Sequence, residues 1–258
     1  MFWRLLRSDW LKLKRSVLFW TAVWIPAGYA LLLTAYFASS PDSPELAIRS
    51  YRVFIEGWSV LLPMILGVWS GLIGAQEEQA GQFAAMLGTG ASRPLIYIGK
   101  WSMLAFMTIA GTFLSAAVFL LGSARFTNMK SEMLGLYLGG VGSICLGVLF
   151  LVAVHLFLSF AAGLGATIGT GAAGSLMAAI VGSSVIGDAI WKWVPWAWGP
   201  RLSQMVGIWM TVPDTEPYVS FIRSQWWEGA AISVAATALA VIGSLFWFQR
   251  WEGRKTGD

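Results

Sequence analysis

The sequence predicts an all-α protein that crosses a membrane six times, and three observations carry that prediction. Hydrophobic residues make up 57% of the 258 positions and charged residues only 12%, against about 25% charged in an ordinary soluble domain. Apolar runs of membrane-spanning length recur from one end of the chain to the other. Lys and Arg gather in alternate connections between those runs. Together they describe one polytopic domain over residues 1–258.

The chain opens on a basic amphipathic stretch. Trp3, Leu6, Trp10, Leu13 and Val17 recur at three- and four-residue spacing, with Arg4, Arg7, Lys14 and Arg15 elsewhere on the wheel. Residues 1–16 therefore read as an interfacial helix, its aromatics at headgroup depth and its cations toward anionic lipid. The apolar run Val17–Phe37 exceeds a signal-peptide core of about 7–15 residues and no A-x-A site follows it. It reads as a retained first span.

A span needs about 20 apolar residues, because a rise of about 1.5 Å per residue must cover about 30 Å of hydrocarbon. Gly57–Ala75, Trp101–Leu121 and Gly229–Phe248 satisfy this without an ionised side chain. Between Glu132 and Asp188 no formal charge occurs, a stretch that must hold two spans and a turn. The cluster Gly163, Gly165, Gly169, Gly171 and Gly174 is where the break is expected.

Six spans put both termini on one side, and the basic residues choose which. The N-terminal segment carries Arg4, Arg7, Lys12, Lys14 and Arg15, the second connection Arg93 and Lys100, and the tail Arg250, Arg254 and Lys255. On the other side seven basic residues are offset by eight acidic ones, among them Asp42, Glu45, Glu132, Asp214 and Glu216. Both termini are expected in the cytoplasm of a multi-pass protein of the plasma membrane.

The stretch "GAQEEQAGQFAAMLGTGASRPLIYIGKW", residues 74–101, interrupts the apolar pattern on that same side. Ala80, Phe83, Ala84 and Leu87 fall on one helical face, while Gln76, Glu77, Glu78, Gln79 and Gln82 supply the polar remainder. Acidic residues suit the positive end of a helix dipole, Gly88 and Gly90 supply a stop, and Pro94 suits a fresh helical start after Ser92 and Arg93. A short helix over 76–90, lying flat on the inner membrane face, is the expectation. At about two dozen residues the connection is longer than joining two spans requires, which favours a docking surface over a plain linker.

Those residues also carry a resemblance. The segment "LLRSDWLKLKRS" before the first span, with "EEQAGQFAAMLGTGASRPLIYIGKW" following span two, resembles the permease subunits of ABC-2-type exporters. The chain is most similar to the bacitracin- and lantibiotic-immunity group, through Glu77, Glu78, Gly81, Phe83, Leu87, Ser92, Arg93, Gly99 and Lys100. The resemblance implies that 76–90 is a coupling helix gripped by a separate ATPase, through Glu77, Glu78, Gln79, Gly81, Gln82, Phe83, Leu87 and Arg93. It further implies two ATPase copies holding ATP and Mg, a second permease, identical or paralogous, and an antimicrobial peptide as cargo. An ABC-2 permease for a lipid, ion or small molecule, or a non-transporting sensor or assembly partner, remains the alternative.

The connection before the last span, residues 188–228, is rich in Trp and broken by Pro195, Pro200, Pro213 and Pro217. Leu202–Val212 is about half a span, which suits a partial dip into the outer leaflet. Trp196, Trp198, Trp209, Trp226 and Trp227 are candidates to line a substrate pathway, with a plain interfacial aromatic belt as the other reading.

Catalytic chemistry finds no foothold. "GTGAAG" at 169–174 matches G-x-G-x-x-G only formally, since it lies in an apolar run without a βαβ unit, and small-residue helix packing explains it. Gly67/Gly71, Gly135/Gly139 and Gly165/Gly169 have the same spacing. No P-loop occurs, the single histidine excludes H-E-x-x-H, and Cys145 alone makes no disulfide or Cys-rich metal site. His155 reads as a packing or hydrogen-bonding residue and Asp188 as a helix-end residue. The chain is expected to be no enzyme, to hold no cofactor of its own and to bind no nucleic acid.

Overall fold

The computed structural model describes residues 2–41, 43, 45–81, 83–88, 90–124, 131–213 and 217–253. Asp42, Gln82, Asp214, Glu216, Arg254 and Lys255 lie outside the described residues. Nine α-helices occur among the described residues: α1 (Phe2–Lys14), α2 (Val17–Ala38), α3 (Leu46–Gln79), α4 (Ala84–Leu87), α5 (Arg93–Ser123), α6 (Ser131–Ala161), α7 (Gly163–Met177), α8 (Trp198–Thr211) and α9 (Pro217–Gln249). Six of them, α2, α3, α5, α6, α7 with its extension to Gly182, and α9, are long and apolar enough to cross a membrane. The chain is an all-α multi-pass membrane protein.

The helices outrun the apolar stretches that announce them. At about 1.5 Å per residue, the 34 residues of α3 extend well past about 30 Å of hydrocarbon. The helix continues through Arg49, Arg52 and Glu56, because charge does not end a helix in water or headgroups. The last helix likewise begins at Pro217 rather than near Gly229, which moves Trp226 and Trp227 out of the connection and onto α9. Proline is carried inside α2 at Pro26 and inside α3 at Pro63.

The break between the fourth and fifth spans falls on the first glycine of the expected cluster. Gly163 has φ +82°, a left-handed conformation that side-chain-bearing residues avoid, and α6 ends two residues earlier. From there α7 returns along α3 at very close range. A Cβ on Gly67 would lie 2.5 Å from the Thr167 carbonyl, and one on Gly171 would lie 2.6 Å from that of Pro63. Small residues let the two backbones meet where no hydrophobic drive exists between helices in lipid. Gly165 and Gly169 instead face open space, whereas Gly135 and Gly139 receive Met210 and Val206 of α8.

Beyond α7 the backbone makes a π turn over Ala178–Gly182 and short 3-10 turns at Val185–Gly187, Trp191–Trp193 and Pro195–Ala197. Arg201 ties this irregular stretch together. Its guanidinium donates to the carbonyls of Val181 and Ser184 and to Asp188 Oδ1 at 2.6 Å, satisfying acceptors left over where the helix ends. At 14 residues, α8 is too short to cross. Its start meets α6 at Gly147, whose added Cβ would be 2.6 Å from the Gly199 nitrogen, and its far end meets Gly135 through Met210. It therefore runs antiparallel to the first half of α6, held on the other flank by a Tyr51 hydroxyl that donates to the Ser203 carbonyl at 2.9 Å.

Candidate functional site

Three helix ends converge where the two termini meet the bundle. The last turn of α3 carries Glu77, which is 3% exposed, and the first turns of α5 carry Lys100, which is 6% exposed. Lys100 Nζ donates to Glu77 Oε1 at 2.6 Å and to Asp9 Oδ1 of α1 at 2.8 Å. Lys12, also on α1, reaches Glu77 Oε1 at 3.1 Å. Two carboxylates and two ammonium groups alternate, so the charges cancel within the cluster. Leu13, buried beside them, seats α1 on this junction, and Trp10 packs edge-on against Phe19 of α2 and Phe106 of α5.

A second clamp lies beside the first. After α3 ends, the chain turns through Gly81, with φ +109°, and Phe83, with φ +69°. A left-handed aromatic residue is unusual and costs on the order of 1–3 kcal/mol, offset here by burial. Phe83 is 1% exposed, and its ring meets Trp251 at 4.8 Å and Phe160 at 6.2 Å between centroids. The Phe83 N–H donates to the Glu77 carbonyl at 3.1 Å, so this turn is bonded directly to the residue at the centre of the ion cluster. Across the turn, Arg93 Nη1 donates to the carbonyls of Gln249 and Trp251. A cation there satisfies acceptors left over at the C-terminus of α9 and suits its dipole.

The structure thus divides the stretch that sequence periodicity reads as one helix. A short helix does stand between the second and third spans, but α4 covers only Ala84–Leu87. Glu77, Glu78 and Gln79 belong to the end of α3, because nothing in the sequence stops that helix before Ala80. Glu77 and Phe83 point inward, Arg93 is half-buried, and Leu87 is half-buried beside Met86. Glu78 is half-buried, and Gln79, Ala80, Gly81, Ala84, Ala85 and Gly88 are exposed. The fully exposed described positions of this turn carry no charge, and Glu77, which periodicity groups with the polar face, is internal. Asp9, Lys12 and Trp251 complete the arrangement, and no pattern in the sequence pairs charges 65 and 91 positions apart.

Trp198 is buried against Phe150 of α6 and donates to the Lys192 carbonyl at 3.0 Å, while Trp196 packs on Gly174 of α7. Trp209 and Trp226 meet edge to face at 5.5 Å, Trp226 donates to Ser143 Oγ at 3.1 Å, and Trp227 is 64% exposed. Among the described residues, one cleft beside α8 is bounded by Arg52, Glu56 and Gln204 and another by Gln204 and Tyr218, and Trp196 lines a small cavity with Pro63, Gly147 and Pro200.

A family model described as an ABC-2 family transporter protein matches residues 5–174. The chain belongs to that family. No curated protein and no solved structure matches it. As an ABC-2 transporter protein it is the membrane permease of an ABC transporter, a component that is not itself an ATPase and that works in general with an ABC ATPase. The matched residues take in α1 to α6 and most of α7, and so the whole Asp9–Lys100–Glu77–Lys12 cluster. They stop short of α8, of α9 and of Trp251, the partner that closes over Phe83.

Proposed function

We propose that this ABC-2 permease is one half of an exporter's transmembrane pathway, moved by a separate ATPase that docks on the turn between α3 and α5. The observation that carries this reading is the double clamp beneath that turn. Glu77 links its start to α1 and α5, and Phe83 and Arg93 link it to the end of α9. A force on the exposed Gln79, Ala84, Ala85 and Gly88 would therefore reach four helices through short side-chain connections. In this reading the ATPase is present in two copies and holds ATP and Mg, a second permease, identical or related, completes the pathway, and both termini are cytoplasmic. The excess of Lys and Arg on the clamp side supports that orientation.

For cargo we propose an amphipathic antimicrobial peptide of the lantibiotic or bacitracin kind, removed from the membrane to protect the cell. The motif resemblance supports it, and the scarcity of charge within the spans suits an amphiphile better than an ion.

The docking test uses exposed positions that leave the clamp intact. The double variant Ala84→Glu and Ala85→Glu should reach the membrane at normal level, yet lose the copurifying ATPase and its transport-stimulated hydrolysis. Full retention of both would overturn the docking reading. For cargo, cells carrying the permease and its ATPase are challenged with graded lantibiotic or bacitracin. An inhibitory concentration equal to that of cells lacking them would remove the peptide assignment.

A further inference from the structure

Pro63 leaves the α3 ladder one rung short. Proline has no N–H, and its ring presses on the carbonyl four residues back, so the Ser59 carbonyl loses the intrahelical donor it would otherwise have. The next amide is also engaged outside the helix, because the Met64 N–H donates to Ser175 Oγ of α7 at 3.2 Å. Ser59 and Pro63 border a small cavity between α3, α6 and the start of α8, whose other walls include Ile144, Leu151 and Pro200. Trp196 lines the same cavity, and its Nε1 is shut away from solvent with no acceptor among the described residues. That nitrogen lies close to Pro63: a Cβ added to Gly174 would be 2.3 Å from Trp196 Nε1 and 3.2 Å from Pro63 Cβ. A donor without an acceptor and a carbonyl short of its donor thus border one cavity.

We propose that this cavity binds one ordered water, bridging the Trp196 indole to the Ser59 carbonyl. The water accepts from Nε1 and donates to the carbonyl. Its second hydrogen goes to Ser59 Oγ, which already donates its own hydrogen to the Ile55 carbonyl at 2.6 Å. About three hydrogen bonds is the usual number for a buried water. The cavity volume is about 10 Å³, at the lower limit of about 10–15 Å³ that one water needs, so an organic group or a hydrated ion is too large. Within a membrane span, hydroxyl side chains and ordered waters are what satisfy the backbone around a proline. Here Ser175 serves the amide after the proline, and the water serves the carbonyl before it. The site lies on α3 between the Glu77 cluster and the Tyr51 bond to α8, so the water ties the middle of that helix to the turn at Pro195–Ala197. The water site depends on neither the ATPase nor the cargo proposed above.

The test uses the purified full-length permease, with whatever partners accompany it, carrying isotope-labelled tryptophan in nanodiscs. Loss of one indole signal in Trp196→Phe assigns the Trp196 N–H in the magnetic resonance spectrum. In the wild type that N–H should exchange slowly with solvent, yet receive a nuclear Overhauser transfer from water, which a dry indole would not. Pro63→Ala returns the N–H that the Ser59 carbonyl lacks, and Val148→Leu fills the cavity from its α6 wall. Each should abolish the transfer while the other indole signals stay in place. A wild-type indole with no transfer from water would overturn the proposal. So would a transfer that persists in both variants, since the water would then lie elsewhere.

Discussion

Lys100 on α5 holds Glu77 on α3 at 2.6 Å, and both side chains are shut away from solvent. Asp9 and Lys12 on α1 extend the pair to four groups, so the N-terminal helix is bonded into the base of the bundle. In an ABC-2 permease this is the end at which the ATPase is proposed to act.

Removing one charge from the pair is expected to cost far more than removing both. Lys100→Met leaves Glu77 buried with only the partly exposed Lys12, and should destabilise the protein by about 3–5 kcal/mol. Lys100→Met combined with Glu77→Gln should recover about 1–3 kcal/mol of that loss through their coupling. Thermal unfolding of the four proteins in one detergent measures the cycle.

Phe83 tests burial against backbone strain. Phe83→Ala should cost about 3–5 kcal/mol through the cavity left between Phe160 and Trp251. Phe83→Gly removes one carbon more, yet should be less destabilising by about 1 kcal/mol, because glycine adopts the left-handed φ freely. Unfolding midpoints that rank alanine above glycine would contradict the strain at this turn.

Arg93 should guard the end of α9. Arg93→Ala removes charge-assisted hydrogen bonds to the Gln249 and Trp251 carbonyls, each worth about 1.5–3 kcal/mol. Limited trypsin digestion should then cut after the exposed Arg250 sooner than in the wild type, with the remaining spans intact.

Two glycines of one helix should behave in opposite ways. Gly171→Leu drives a side chain into the α3 backbone at Pro63 and should lower the yield of folded protein severely. Gly169→Leu points into open space and should change the unfolding midpoint by no more than the equivalent of about 0.5 kcal/mol.

Composition and apolar run length alone determined that the chain is a six-span helical membrane protein, because the bilayer forces every span into a helix of known minimum length. They also pointed to the glycine cluster 163–174 for the break and to a half-length segment before the last span, since glycine content and a shortage of apolar residues are local properties; that Gly163 makes the turn came from the structure. Helix ends were less legible. Hydropathy marks where lipid stops, whereas a helix stops only at a local breaker, so α3 ran on through Gln79 and α9 began at Pro217.

The direction in which a polar residue faces belonged to the tertiary structure. Periodicity grouped Glu77 with Glu78 and Gln79 as one polar surface, but Lys100 and Asp9 arrive from other helices and make the interior the favourable place for Glu77. Phe83 was drawn inward by Phe160 and Trp251, far away in sequence. Arg52 and Glu56 became a cleft only when α8 folded back beside them. A carboxylate is stable wherever its charge is met, and that depends on partners brought by distant segments, which no local pattern can encode.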